Sequence, residues 1–320
     1  MTDPYDVVVI GEVLVELASD RPFQAGADVT LGVSGDVVNA AAAAAAAGAR
    51  TAVLTRIADD ELGDVIEQRL TELGIELGLL RRVPGQQAAY FVHADPDGAR
   101  EFVYVRKGSA GSTLSPDDVD AAVDEAHVVL ASGITCALSD TARAAVEEAA
   151  RRARTFLYDP NFRPRLTDAE AAAEVLRTLA PHAAVVTPAA PSETRALLGT
   201  DDPLQAAEAL RSLGAGAAVV TRGADGSVVV DGDGAWQVSA VPPTALVDQT
   251  GAGDSLAGTV AARLALGDSL LDAVRLGAAS ASLALGGRGG TGHVATLDEC
   301  RRHLAGSGLA PAPIGRAVAR

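Results

Sequence analysis

A chain of 320 residues is long enough for one large α/β domain, or for one such domain with a small accessory one. Hydrophobic residues make up 48% and aromatics only 3%, so the core is large and aliphatic. A formal net charge of −16 argues against nucleic acid and anionic membranes as partners, and any anionic substrate needs a locally built cationic site. Lys107 is the only lysine, so arginine carries nearly all the positive charge. Cys136 and Cys300 match no metal or redox spacing. The start has neither the basic nor the apolar segment of a signal peptide, and the apolar runs at 40–47 and 256–266 are too short to cross a bilayer. A soluble cytoplasmic protein is expected.

In chain order, Val7-Val8-Val9-Ile10 reads as a buried strand ending at Gly11. Residues 13–33 are irregular or extended. Asn39 and the eight alanines 40–47 form a helix that Gly48 ends, because Ala is the best helix former and Gly a natural terminator. A strand at 51–57 and a helix at 60–73 follow. Residues 76–82, 88–94 and 99–106 are short extended stretches divided by Pro84-Gly85 and Asp95-Pro96-Asp97-Gly98, which are hairpin signals. Beyond 117, strands at 127–131, 155–158, 184–186 and 217–221 alternate with helices at 139–153, 168–179, 192–198 and 203–213. A hairpin at 226–240 and helices after Asp254 and over 269–285 complete the pattern. The alternation predicts a mostly parallel sheet with helices on both faces, and ligands in such sheets bind outside the carboxyl ends of the strands. The expected organisation is a core of 1–12, 34–75 and 107–310, a small β-sheet lid of 13–33 and 76–106, and a tail of 311–320.

The most informative motif is Asp248-Gln249-Thr250-Gly251-Ala252-Gly253-Asp254-Ser255, where a loop becomes a helix. The first N–H groups of a helix have no intrahelical partner and lie at its positive end, and small residues let an anion approach them. Asp254 beside such a cradle suits removal of a proton from a hydroxyl that attacks phosphorus. It also suits an ordinary helix cap. Ser34-Gly35-Asp36-Val37-Val38-Asn39 offers Asp36 and Asn39 to hydroxyl groups, or caps the alanine helix. Asp159-Pro160-Asn161-Phe162-Arg163 packs a carboxylate, an amide and a guanidinium into five residues at a strand end, as a site or as a solvated loop. Tyr104 and Arg106 share one face of a strand, with Tyr90 on its neighbour, so that face covers a ligand or meets another subunit. Thr221-Arg222-Gly223-Ala224-Asp225-Gly226 meets a nucleotide or is a plain turn. No G-x-x-x-x-G-K-[ST] is present, and the histidines have no metal-ligand spacing.

Together these residues resemble the ribokinase-like (PfkB) carbohydrate kinases over nearly the whole chain. Thr250-Gly251-Ala252-Gly253-Asp254 is similar to that family's C-terminal signature, and the Gly-Asp-x-x-Asn element, Asp159-x-Asn161-x-Arg163, Thr221-Arg222-Gly223 and the two-segment lid occur in the family's order. The resemblance implies a three-layer ribokinase-like sandwich, ATP as donor, Mg²⁺ and a sugar hydroxyl as acceptor. It implies Asp254 as base and the amides of Gly251, Ala252 and Gly253 as anion hole. It places Thr221, Gly223 and Gly226 near the nucleotide, and a monovalent cation such as K⁺ near Asp248 and Thr250. A homodimer or higher oligomer through the lid is a further implication.

Gly35-Asp36, Tyr104-x-Arg106-x-x-Ser109-Ala110 and Asp159-Pro160-Asn161-Phe162-Arg163 are similar to the 2-keto-3-deoxygluconate kinase branch. That resemblance gives Gly35, Asp36, Asn39, Tyr90, Tyr104, Arg106 and Arg163 to the sugar acid and implies phosphorylation of its 6-hydroxyl. A carboxylate substrate also needs guanidinium partners, which an acidic protein places here deliberately. Fructose, ribose, a nucleoside or 5-keto-2-deoxygluconate are the alternative acceptors, and a non-catalytic sugar-acid sensor is the remote one. The chain departs from the family at Ser34, where many members have a second glycine, and at Ala190, where many have the Asn of an Asn-x-x-Glu motif. Glu193 remains at the Glu position to orient water on Mg²⁺. The 269–285 helix carries no Asn, so nucleotide-base preference is unreadable.

Overall fold

Alternate residues of the buried strands face opposite ways, and this sets the layers of the fold. In the computed structural model, which describes residues 4–94 and 100–314, the elements are as follows. The first half contains β1 (Val7–Ile10), β2 (Leu14–Ser19), β3 (Thr30–Ser34), α1 (Asp36–Ala46), β4 (Thr51–Ala58), α2 (Glu61–Glu72), β5 (Leu80–Val83), β6 (Ala89–Ala94), β7 (Arg100–Val105), α3 (Ala121–Glu125), β8 (Val128–Ser132), α4 (Gly133–Cys136) and α5 (Asp140–Arg152). The second half contains β9 (Phe156–Asp159), α6 (Ala169–Leu179), β10 (Ala183–Val186), α7 (Ser192–Leu198), α8 (Pro203–Ser212), β11 (Ala218–Thr221), β12 (Ser227–Val230), β13 (Ala235–Val238), α9 (Ala252–Ala265), α10 (Leu270–Ala284), α11 (Leu297–Ser307) and β14 (Ala312–Pro313).

The large sheet has ten strands in the order β14-β13-β12-β11-β10-β9-β8-β1-β4-β5. From β5 to β11 the pairings are parallel, and β12, β13 and β14 add an antiparallel edge. On β1, Val8 and Ile10 share a core with Val146 of α5, Leu176 of α6 and Leu210 of α8. Val7 and Val9 face the other way, into a core with Ala41 of α1, Val260 of α9 and Val274 of α10. The alanine run is thus a buried helix. It packs so closely on α9 that a Cβ at Gly258 would stand 2.0 Å from the Ala40 carbonyl oxygen.

The small sheet has the order β3-β2-β6-β7 and is mixed, with β2–β6 parallel and the other two pairings antiparallel. One boundary differs from expectation. The sequence pattern places the extended segment at 76–82 in the lid, but β5 pairs in parallel with β4 and forms an edge of the large sheet. Its half-buried apolar residue Leu80 packs on the core beside β4, so this segment is held by the core. The tail likewise begins inside the fold, since β14 pairs with β13. The hairpin signal at 95–98 and the tail beyond Ile314 lie outside the described residues.

Candidate active site

The carboxyl ends of β1, β8, β9, β10 and β11 point to one side of the sheet, and the candidate residues gather there as the topology requires. Seven helices begin with a side-chain cap, from Asp60, Asp120, Ser139, Asp168, Asp202, Ser269 and Thr296. α1 and α9 begin at Gly35 and Gly251 with no side-chain cap, which leaves their first N–H groups open to a ligand. Gly251 sits in the left-handed region at φ 79°, and a Cβ there would lie 2.7 Å from Gly290 Cα. A side chain at 251 is therefore both strained and excluded.

Asp254 does not cap α9. Its Oδ2 accepts from Asn39 Nδ2 at 2.8 Å and its Oδ1 from Asn161 Nδ2 at 3.2 Å. Asn161 adopts φ 41°, a left-handed conformation that Asn tolerates, and its backbone N–H donates to Asp159. Burial pushes the Asp254 carboxyl up to about 6, with Asp36 adding to the rise and the two asparagines and Arg163 opposing it. Burial raises Asp159 well above the usual carboxylate range, helped by Glu193 and Asp254. Glu193 is raised by burial too; its Oε1 accepts from Phe162 N–H at 2.7 Å and its Oε2 from Ala189 N–H at 2.8 Å. A carboxyl poised near neutrality, fixed by two amides and flanked by open N–H groups, can take a proton from an alcohol.

A cavity of about 700 Å³ joins most of the predicted residues. Its walls include Gly35, Asp36, Asn39, Tyr90, Tyr104, Arg106, Arg163, Glu193, Thr221, Thr250, Gly251, Gly253 and Asp254. The lid supplies the tyrosines: Tyr90 and Tyr104 are directly paired across β6 and β7, their rings 5.8 Å apart. Ala252, Gly223, Gly226 and Asp248 are not among its lining residues. Gly226 lies in the turn before β12, where a Cβ would meet the Val238 carbonyl oxygen at 2.1 Å. Asp248 is buried and accepts from Thr250 N–H at 2.7 Å and Gly289 N–H at 2.8 Å, so it ties the glycine-rich 286–290 loop to the segment before α9.

With this geometry in place, comparison with known proteins is decisive. The sequence profile described as pfkB family carbohydrate kinase matches residues 5–296. The chain belongs to that family. Members transfer a phosphoryl group to a sugar hydroxyl, and the site just described suits that chemistry. The chain is 36% identical over 290 residues to a 2-dehydro-3-deoxygluconokinase of Thermoproteus tenax, covering 88% of this chain and 89% of that protein. It is 29% identical to a 2-dehydro-3-deoxygalactonokinase of Haloferax volcanii, covering 94% and 97%. Among relatives named 5-dehydro-2-deoxygluconokinase, one from Geobacillus thermodenitrificans is 25% identical, covering 94% and 93%. A solved PfkB protein of Polaromonas sp. JS666 superposes with a TM-score of 0.83 at 27% identity, covering 93% of this chain and 99% of that one. The pfkB assignment confirms the ribokinase-like fold with its separate small sheet.

Several participants escaped the sequence reading. Glu12, 1% exposed, accepts from Arg106 Nε at 2.9 Å and from the Ser109 hydroxyl. Burial raises its carboxyl, opposed by Arg106 and Ser109. Glu16 accepts from the Tyr90 hydroxyl, and Ser132 donates to Asp36. The Thr187 hydroxyl is buried in the cavity wall with no hydrogen-bond partner among the described residues. Glu12, Ser132 and Thr187 stand at or just past the ends of β1, β8 and β10, so the strand-end rule was the signal available for them.

Proposed function

We propose that this chain transfers the γ-phosphoryl group of ATP to the 6-hydroxyl of 2-keto-3-deoxygluconate (2-dehydro-3-deoxygluconate). The observation that carries the proposal is the single cavity in which Asp254, held between two amides, meets Arg106 and Arg163. The 36% identity to a 2-dehydro-3-deoxygluconokinase supports the acceptor.

Asp254 takes the proton of the acceptor hydroxyl as its oxygen forms a bond to the γ-phosphorus. The bond from that phosphorus to the β,γ-bridging oxygen breaks, and ADP leaves. The open N–H groups at the start of α9 stabilise the charge that develops. The lid, with Tyr90 and Tyr104 over the cavity, excludes water that would otherwise accept the phosphoryl group. The residues also fit Mg²⁺. Asp159, Glu193 and Asp254 are carboxyls raised by desolvation, Asp159 also by the charges of the other two, and a divalent cation relieves that repulsion; the Thr187 hydroxyl, unpartnered among the described residues, shares their cavity. No group of three or more His, Cys, Asp or Glu among the described residues could hold a metal alone. Mg²⁺ bound there supplies neutralisation of phosphate charge.

The outer face of the lid supports a homodimer. Leu31, Val103 and Val105 are 45%, 49% and 54% exposed on strands whose other face covers the cavity. A second copy of this face is the natural cover for such a patch.

Arg106→Ala and Arg163→Ala test the acceptor, with a selective rise in KM for the sugar acid expected. An unchanged KM would remove the argument. The named relatives keep 5-keto-2-deoxygluconate as the second reading, distinguished by direct assay.

A further inference from the structure

Three guanidinium groups line the cavity, those of Arg106, Arg163 and Arg165. Two already answer carboxylates of the chain itself. Arg106 Nη2 lies 2.7 Å from Glu12 Oε2, and both side chains are nearly buried. Arg163 Nη1 lies 4.0 Å from Glu193 Oε1, and its charge also lowers the carboxyls of Asp159 and Asp254 against their burial. Arg165 makes no ion pair among the described residues. Its Nη1 donates to the Phe102 carbonyl at 3.2 Å, from the core loop after β9 to lid strand β7. Pro164 stiffens the backbone between the two arginines, so one serves α7 and the other the lid.

The other side chains lining the cavity that carry charge at neutral pH when ionised are Asp36, Asp159, Glu193 and Asp254, all carboxyls. Arg106 and Arg163 share their charge with Glu12 and Glu193, so an acceptor that brings one more carboxylate into such a cavity gains from a third cation whose charge is not already matched. A guanidinium has five N–H donors in a rigid fork, so a bond to one carbonyl leaves an edge for a carboxylate.

We propose that Arg165 is a further specificity-determining residue, which reads the carboxylate of the acceptor beside Arg106 and Arg163 and, through the Phe102 carbonyl, couples that recognition to the position of the lid. The inference rests on the sugar-acid reading above and adds a residue that reading did not use.

The test compares 2-keto-3-deoxygluconate with its amide, which keeps the shape and loses the charge, in the wild type and in Arg165→Gln and Arg165→Lys. Arg165→Gln is expected to raise KM for the acid by about 10- to 100-fold, the scale of one charge-assisted bond, with KM for ATP unchanged. The acid-over-amide preference should collapse in Arg165→Gln and return in part in Arg165→Lys. A wild type that prefers the acid and an Arg165→Gln that keeps the same preference would overturn the role of Arg165 alone. Equal losses for acid and amide in both variants would reduce Arg165 to a lid strut and also overturn it. A wild type with no preference for the acid would remove the sugar-acid reading and this inference together. Thermal unfolding of both variants confirms that the folded enzyme is what is assayed.

Discussion

Asn39 Nδ2 stands 2.8 Å from Asp254 Oδ2, joining α1 to α9 across 215 positions of sequence. Asn161 holds the other carboxylate oxygen at 3.2 Å. These bonds favour the charged form, whereas burial and Asp36 disfavour it, and the balance sits at about 6. A base must be ionised to act, so kcat/KM should rise with pH through about 6 and level off above it. Asn39→Ala removes one bond to the charged form and should move this limb to higher pH. A limb that stays in place would show that Asn39 does not tune the base.

Asp254→Asn should lower kcat by about 10²- to 10⁴-fold, with little change in KM, because general-base help is lost while the cavity is kept. Near-normal kcat, measured by ADP release, would defeat the assignment.

The same carboxyl carries a stability signature. Its folded value of about 6 lies above the ordinary 3.8, so its contribution to stability is present below about pH 4 and lost as pH rises through 6. Asp254→Asn cannot ionise. Urea unfolding at pH 4, 5 and 7 should therefore show the variant gaining on the wild type across this window, by up to about 3 kcal/mol. A difference that does not vary with pH would contradict the buried, raised carboxyl.

Much of this site was legible because its parts are local. Gly251 to Asp254 and Asp159 to Arg163 are short motifs at strand or helix ends, and period 2 put Tyr104 and Arg106 on one face. The Ala40–Ala47 run was readable as a helix, but its burial against α9 depends on Gly258, far along the chain. The partners of the motifs were harder to see. Glu12 follows β1 and meets Arg106 at the end of β7, 94 positions away, and no spacing rule links them. β5 resembled the lid strands in pattern, and only its pairing with β4 placed it in the core.

Glu193 binds two backbone N–H groups from different segments, those of Phe162 and Ala189. Glu193→Ala leaves both without this acceptor, which costs about 1–3 kcal/mol for each buried donor. Denaturant unfolding should show that loss, and the Mg²⁺ concentration for half-maximal rate should rise. Wild-type stability in this variant would mean that the loop after β9 holds its shape without Glu193.

Val103→Asp combined with Val105→Asp places charge on the exposed outer face of the lid. Light scattering should report half the wild-type mass. An unchanged mass would place the subunit contact elsewhere or show that none forms.

The central claim is the pairing of the Asp254 chemistry with a carboxylate-bearing acceptor. ATP-dependent ADP release should be measured with 2-keto-3-deoxygluconate, its galactonate epimer, 5-keto-2-deoxygluconate, fructose, ribose and adenosine. The account predicts selective turnover of the 2-keto-3-deoxy acids. Preferential turnover of a neutral sugar or nucleoside would contradict it, leaving the pfkB fold and the base intact but refuting the acceptor.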